Sequence, residues 1–216
     1  SPISLALATM FPEQVIGVHV NMLMAFPSGD PADLVGLSDG DLGRLGALSR
    51  FDSELSGYMR LQQTRPQTLA YALNDSPVGQ LAWIVERFQE WTGTGKVPED
   101  VVDRDQLLTN VTIYWLTATA GSSAQFYYEG AAAVRAAASG AKPPPVTVPV
   151  GVAVIPHDIF LPVRRLAERD LPTITPWTEL DVGGHFAAME QPRLFVGDVR
   201  AFFAGLRQPG TGPSGR

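Results

Sequence analysis

Apolar residues recur along the chain with two different periods, and the change from one to the other divides it. Residues 1–11 are small and apolar on nearly every side, which predicts a buried helix with Pro2 in its first turn. Pro12 ends it, and the β-branched run 15–21 predicts a strand buried on both faces. From about residue 26 to about residue 140 the helical period takes over and no convincing strand is present. Leu81, Ile84, Val85 and Phe88 fall on one face of a helix over 78–91 that Ser76-Pro77 starts. Further helices are predicted over 54–66, 69–75 and 105–117, and another from 122. The strand pattern then returns, with a strand over 146–155, an exit loop at 156–158, a helix over 160–169 and a last strand region over 171–182. An amphipathic helix carrying Leu194, Phe195, Val196, Val199, Phe202, Phe203 and Leu206 closes the series.

This is an α/β layer interrupted by an all-helical insertion. The expected divisions are α/β core at 1–25, helical insertion at 26–142, core again at 143–207, and a Gly/Pro-rich disordered tail at 208–216. Lys142-Pro143-Pro144-Pro145 reads as a stiff linker between the second and third. Three parallel strands leave an apolar edge open, because parallel sheets are normally extended and covered on both faces.

Composition narrows the chemistry. The net charge of -6 and a pI near 5.0 supply no basic stripe for phosphates, which argues against nucleic acid as a partner. With no cysteine, a disulfide framework, a thiolate metal site and a Cys nucleophile are excluded within these residues. The three histidines, at 19, 157 and 185, form no metal-binding spacing, so no His-built metal site is expected. No apolar run reaches the roughly 20 residues of a bilayer span, so no membrane segment is expected and the location is cytoplasmic or unknown. The first residues, Ser1-Pro2-Ile3, read as an internal cut point, and targeting information could lie before them.

Two motifs are set aside on context. Gly36-Leu37-Ser38-Asp39-Gly40 has the letters of a hydrolase nucleophile elbow, but a Pro/Asp/Gly loop leads into it instead of a strand, and Ser38 with Asp41 reads as a capping box. The glycosylation triplets at Asn74 and Asn110 lie in segments expected to be packed. His19, inside a strand, reads as structural.

The stretch Gly183-Gly184-His185-Phe186 is different, because it joins a strand to a helix at the strand's C-terminal end, where α/β sheets place their chemistry. Two glycines let the backbone turn and aim the imidazole without a Cβ clash. Asp158 follows the preceding strand at the same end. Alone it reads as a helix N-cap. Together, Asp158 and His185 form the base and orienter of a triad, in the chain order of α/β hydrolases, without a nucleophile.

Longer motifs add a resemblance. Asp75-Ser-Pro-Val-Gly79, Leu107-Leu-Thr-Asn-Val111 with Tyr114-Trp115, Phe126-Tyr-Tyr-Glu129 and Gly183-Gly-His-Phe-Ala-Ala-Met-Glu-Gln-Pro192 resemble the epoxide hydrolases of the microsomal type, in the α/β-hydrolase superfamily. The likeness runs over nearly the whole chain apart from the tail. It implies the C-terminal part of an α/β-hydrolase fold, with the helical insertion as its lid. In that family the nucleophile is an aspartate in a Gly-Gly-Asp-Trp-Gly turn, and the text after it resembles Ser1-Pro-Ile-Ser-Leu-Ala-Leu-Ala. The nucleophile, the oxyanion loop and the first strands are thus expected upstream of residue 1.

The resemblance further implies His185 as the water-activating base and Asp158 as its acidic partner. Tyr58 and Tyr127 take the place of the two phenols that protonate the epoxide oxygen, with Tyr128 the weaker match. Trp83, Trp115 and Phe126 are expected on the apolar inner face of the lid. The implied reaction opens an epoxide to a diol through an alkyl-enzyme ester, with a hydrophobic epoxide, water and the upstream half as partners, a homodimer as a further one, and no cofactor. An esterase or haloalkane dehalogenase remains open as the alternative, as does a non-catalytic half that needs a complementing polypeptide.

Overall fold

The computed structural model describes residues 2–93, 95–138 and 144–207, without the side chains of 133–138. The expected tail, and residues 142–143 of the expected linker, lie outside the described residues. In chain order the elements are α1 (Pro2–Met10), β1 (Val18–Asn21), α2 (Asp39–Arg50), α3 (Gly57–Thr64), α4 (Pro66–Asp75), α5 (Pro77–Trp91), α6 (Arg104–Leu116), α7 (Ala120–Ala138), β2 (Val150–Val154), α8 (Arg164–Asp170), β3 (Ile174–Glu179), α9 (Ala187–Glu190) and α10 (Pro192–Arg207). Short 3-10 turns occupy Pro31–Asp33 and Pro98–Asp100, and a π-helical turn occupies Phe51–Leu55. The described residues form two compact units, one of residues 2–45 with 144–207 and one within residues 46–138.

The first unit is built on a parallel sheet in the order β1-β2-β3. β2 is buried along its whole length, as its Val-Gly-Val-Ala-Val sequence requires of a central parallel strand. Because strand side chains alternate, Val18, Val20, Val150, Val152 and Val154 join Ala8, Val163, Leu166 and Ala167 in one core, with Leu5 packed against it. Each such valine contributes about 1.5–3 kcal/mol by burial. α10 packs against the positions between them. A Cβ on Gly151 would stand 2.8 Å from the Phe202 ring, so this glycine lets the helix approach the sheet. His19 points to the same side, where its Nε2 lies 2.7 Å from Asp198 Oδ2 and its ring meets Phe195 and Phe202. That is a packing role, in keeping with its place inside a strand.

Several elements differ from the pattern-based expectation. β1 and β2 start later than residues 15 and 146, because Pro149 has no N–H to extend the ladder and only its carbonyl is used, by the Val18 amide at 2.9 Å. α8 starts at Arg164 and not at 160, since Pro162 pushes Leu161 out of helical geometry. The expected buried first helix is mostly exposed, with Met10 67% accessible and Ile3 and Leu7 also open. Only the Leu5 and Ala8 side of a helix that is apolar all round reaches the core of this chain. Asn74 is exposed, not packed. Ser38 and Asp41 form the expected capping box, with the Asp41 amide donating to Ser38 Oγ at 3.1 Å and the Ser38 amide to Asp41 Oδ2 at 3.3 Å.

Two arginines one helical turn apart on α8 pin the loop that follows β1. Arg165 donates to the carbonyls of Val35, Ala32 and Asp33, and Arg169 donates to the carbonyl of Phe26. Arg169 Nη1 also lies 2.7 Å from the Asp33 carboxylate. The Ser28 amide, that guanidinium and the Ser28 hydroxyl, in that order, hold the Asp33 carboxyl down to about 2 from its ordinary 3.8. A depressed folded-state value stabilises the fold above the ordinary carboxylate range and loses that contribution as pH falls toward 2. Asp33→Asn is therefore expected to lower Tm near neutral pH, with the difference from the parent shrinking as thermal melts move toward pH 2. A constant difference across that range would contradict it.

The second unit is all helix among the described residues. Leu69, Leu73, Ala120 and Ala124 form its core between α4 and α7, with Trp83 packed against them. Gly121 allows the close approach, since a Cβ there would meet Ala70 Cβ at 3.1 Å. Pro66 and Pro77 open their helices, and Ser76 caps α5 through the Gly79 amide at 3.0 Å. No helix among the described residues is long and apolar enough to cross a membrane.

Candidate active site

The loops leaving β2 and β3 remain paired beyond the strands. The Leu180 amide donates to the Val154 carbonyl at 2.9 Å, the His157 amide donates to the Gly183 carbonyl at 3.1 Å, and His157 and Gly184 form a parallel bridge. Gly183 sits at φ +109°, a conformation costly for residues with a Cβ, and a Cβ there would also crowd Gln191 and Ile155. The two loops therefore leave the sheet together, and Asp158 and His185 meet at its C-terminal edge.

His185 Nδ1 lies 2.7 Å from Asp158 Oδ1. The same oxygen accepts the Ile159 amide at 2.8 Å, and the Asp158 side chain is 2% exposed. A buried carboxylate without such partners is unfavourable, so the imidazole and the amide together hold it in place. An ionised carboxylate only accepts, so Nδ1 carries the proton and Nε2 of a neutral ring keeps its lone pair. His185 remains 24% exposed, buried enough to be fixed and open enough to meet water.

Sequence reasoning missed what anchors the histidine loop. Glu190 is buried, and its Oε1 accepts the Phe186 amide at 3.1 Å, tying the residue after His185 to the first turn of α9. The signal was a glutamate four residues beyond Phe186, within reach of an amide left unpaired by the helix that follows.

In the helical unit, Tyr58 and Tyr127 stand edge to face with ring centroids 6.1 Å apart. Tyr58 opens α3 just after the π-helical turn and Ser56, a buried residue whose hydroxyl donates to the Asp52 carbonyl at 2.6 Å. Burial, then the charge of Tyr127, pushes the Tyr58 phenol well above its ordinary range, and burial likewise raises Tyr127. Both phenols thus stay protonated at neutral pH. Tyr128 is 44% exposed, which separates it from its neighbour.

The aromatic residues expected on the inner face of the helical unit are dispersed. Trp83 lines a hollow of about 300 Å³ with Tyr58, Leu61 and Arg87. Trp115 donates its indole N–H to the Asn74 carbonyl at 3.2 Å. Phe126 is 56% exposed, with its ring 6.5 Å from that of Tyr127. Among the described residues no group of three or more His, Asp or Glu is placed to hold a metal ion.

No protein-family model matches the chain. It is 43% identical over 205 residues to a protein of Stigmatella aurantiaca (strain DW4/3-1) provisionally named an epoxide hydrolase, covering 95% of this chain and 45% of that one. It is 33% identical over 224 residues to epoxide hydrolase 1 of Sus scrofa, covering 94% and 48%. Among solved structures, epoxide hydrolase of Aspergillus niger superposes with a TM-score of 0.77 at 25% identity, over 94% of this chain and 49% of that one. Juvenile hormone epoxide hydrolase from the silkworm Bombyx mori gives 0.76 at 28% identity, over 95% and 52%. The chain spans about half the length of the curated relatives it matches.

Proposed function

We propose that this chain, homologous over nearly its whole length to epoxide hydrolases and carrying part of their α/β-hydrolase fold, supplies the hydrolytic half of an epoxide hydrolase. The observation that carries the reading is the Asp158–His185 contact of 2.7 Å at the ends of adjacent parallel strands. The nucleophilic carboxylate belongs to a segment outside residues 1–216, on the upstream side. The exposed apolar flank of α1 supports a covering segment beside it.

The chemistry divides into two steps. A carboxylate oxygen attacks an epoxide carbon, the ring C–O bond breaks, and the leaving alkoxide takes a proton from Tyr58 or Tyr127, giving a hydroxy ester and a phenolate. His185 Nε2 then removes a proton from water, and the hydroxide attacks the ester carbonyl, releasing the diol and restoring the carboxylate. The imidazolium and phenolate recover their protonation states through solvent, so atoms and charge balance without a cofactor. Asp158 stabilises the imidazolium while it lasts.

The phenol pair favours this reading over the dehalogenase alternative, while an esterase differs in the upstream nucleophile, Ser in place of Asp. A halide leaves without a proton, whereas an alkoxide needs a donor that stays protonated at neutral pH, and both phenols meet that requirement. In this reading the sheet unit holds the base and the helical unit carries the phenols, with Trp83 lining the hollow beside Tyr58. In the enzyme assembled with its nucleophile-bearing segment, Tyr58→Phe and Tyr127→Phe are each expected to slow single-turnover alkylation about tenfold, and the double variant about 10²-fold or more. A double variant that alkylates at the parent rate would remove the phenols from the mechanism.

A further inference from the structure

Arg87 sits on α5 between two carboxylates of the same helix, Glu86 and Glu90, and pairs with both, at 2.8 Å in the case of Glu90. A helical arginine so placed usually extends into solvent. This one folds inward and is 14% exposed. Its guanidinium carbon stands 4.8 Å from the centroid of the Tyr58 ring and 5.5 Å from that of Trp91. Its Nε is buried with no hydrogen-bond partner among the described residues. Leaving that donor unmatched is unfavourable, and what the guanidinium gains in exchange is contact with two aromatic faces.

Tyr58 is packed among three aromatic rings. Trp91 meets its ring edge to face at 5.1 Å, Tyr127 at 6.1 Å and Phe51 at 6.5 Å. Among the described residues the charged and titratable groups that act on it most are Arg87 and Glu90 from α5 and Tyr127 from α7, with Glu54 and Glu86 lining the same hollow, and of the first three only Arg87 favours the phenolate. A phenol in such surroundings is a poor acid, because the charge it would be left with has little water around it.

We propose that Arg87 is a positioning residue for Tyr58, its guanidinium fixing the ring and stabilising the phenolate that remains when the proton has been given to the substrate oxygen. The inference rests on the reading of Tyr58 as a proton donor. Glu86 and Glu90 tether the guanidinium from the solvent side. A cation held over the ring before reaction needs no reorganisation as charge develops, which is the condition for electrostatic stabilisation in a water-poor site.

The test replaces Tyr58 of the 216-residue chain by a fluorinated tyrosine, whose lower intrinsic pKa brings ionisation into range, and follows phenolate absorbance against pH. Arg87→Met is expected to raise the midpoint by about one pH unit, and Arg87→Lys to restore at least half of the shift. Glu90→Gln, whose amide oxygen can still accept from a guanidinium that Glu86 also holds, removes an opposing charge and is expected to lower the midpoint, which keeps the test decisive if Arg87→Met unfolds α5. Midpoints unmoved in the Met and Gln variants, or a raised midpoint that Lys fails to restore, would overturn the proposal. In the assembled enzyme the same Met variant is expected to lower the alkylation rate about tenfold without weakening substrate binding, with Lys recovering most of it. Failure of the donor reading is distinguishable, because it appears as an unchanged alkylation rate in Tyr58→Phe while the titration shift persists.

Discussion

His185→Gln is expected to abolish turnover while leaving the first chemical step intact. Glutamine can still donate to Asp158, so the buried carboxylate keeps a partner and the loops after β2 and β3 keep their shape. What disappears is the imidazole Nε2 proposed to activate water. In the proposed mechanism ring opening uses a carboxylate and a phenol, neither of which is touched. The assembled enzyme carrying the variant is therefore expected to consume about one equivalent of epoxide in a burst and then stall, with steady-state kcat lower by about 10³-fold or more. Rapid-quench kinetics separate the two phases. Equal loss in burst and steady state would assign His185 a role in the first step and contradict the account.

Asp158→Asn is expected to cost nearly as much by a different route. The amide keeps the size of the carboxylate, but the one position that meets both the Ile159 amide and His185 Nδ1 can hold either its oxygen or its N–H₂. It does not hold the imidazole in one tautomer, because its N–H₂ can donate to Nδ1 and force the proton onto Nε2, where the base is needed. The imidazolium formed during water activation also loses its counter-charge. By analogy with other His–Asp pairs the fall in kcat is about 10³–10⁴-fold, again in hydrolysis of the ester and not in its formation. Thermal melts are expected to show little change, since the substitution removes a buried charge without opening a cavity. A large loss of stability would point instead to a mainly structural Asp158.

Much of this was legible in the sequence because it rests on local rules. The valine run of β2, the Ser76-Pro77 start of α5 and the Ser38–Asp41 capping box follow from periodicity and capping. Asp158 and His185 were placed at one end of one sheet by counting strands, which requires no long-range contact to be known. The misreadings arose where tertiary partners decide. An apolar α1 reads as buried whether or not this chain covers it, and its exposure appears only once the sheet is assembled. The inward fold of Arg87 was invisible, because beside Glu86 and Glu90 it has the local pattern of a solvated charged face. Glu190 was hidden for the opposite reason, its capping function depending on where His185 leaves the strand.

The central claim is that His185 and Asp158 hydrolyse an ester whose carboxylate lies outside these 216 residues. Intact-mass measurement followed by peptide mapping of the His185→Gln enzyme, quenched after exposure to epoxide, tests it most directly. The account predicts one added epoxide per enzyme, carried as an ester on an aspartate upstream of residue 1, with none on residues 1–216. An adduct on a residue within this chain, or epoxide turnover by this chain alone, would contradict it.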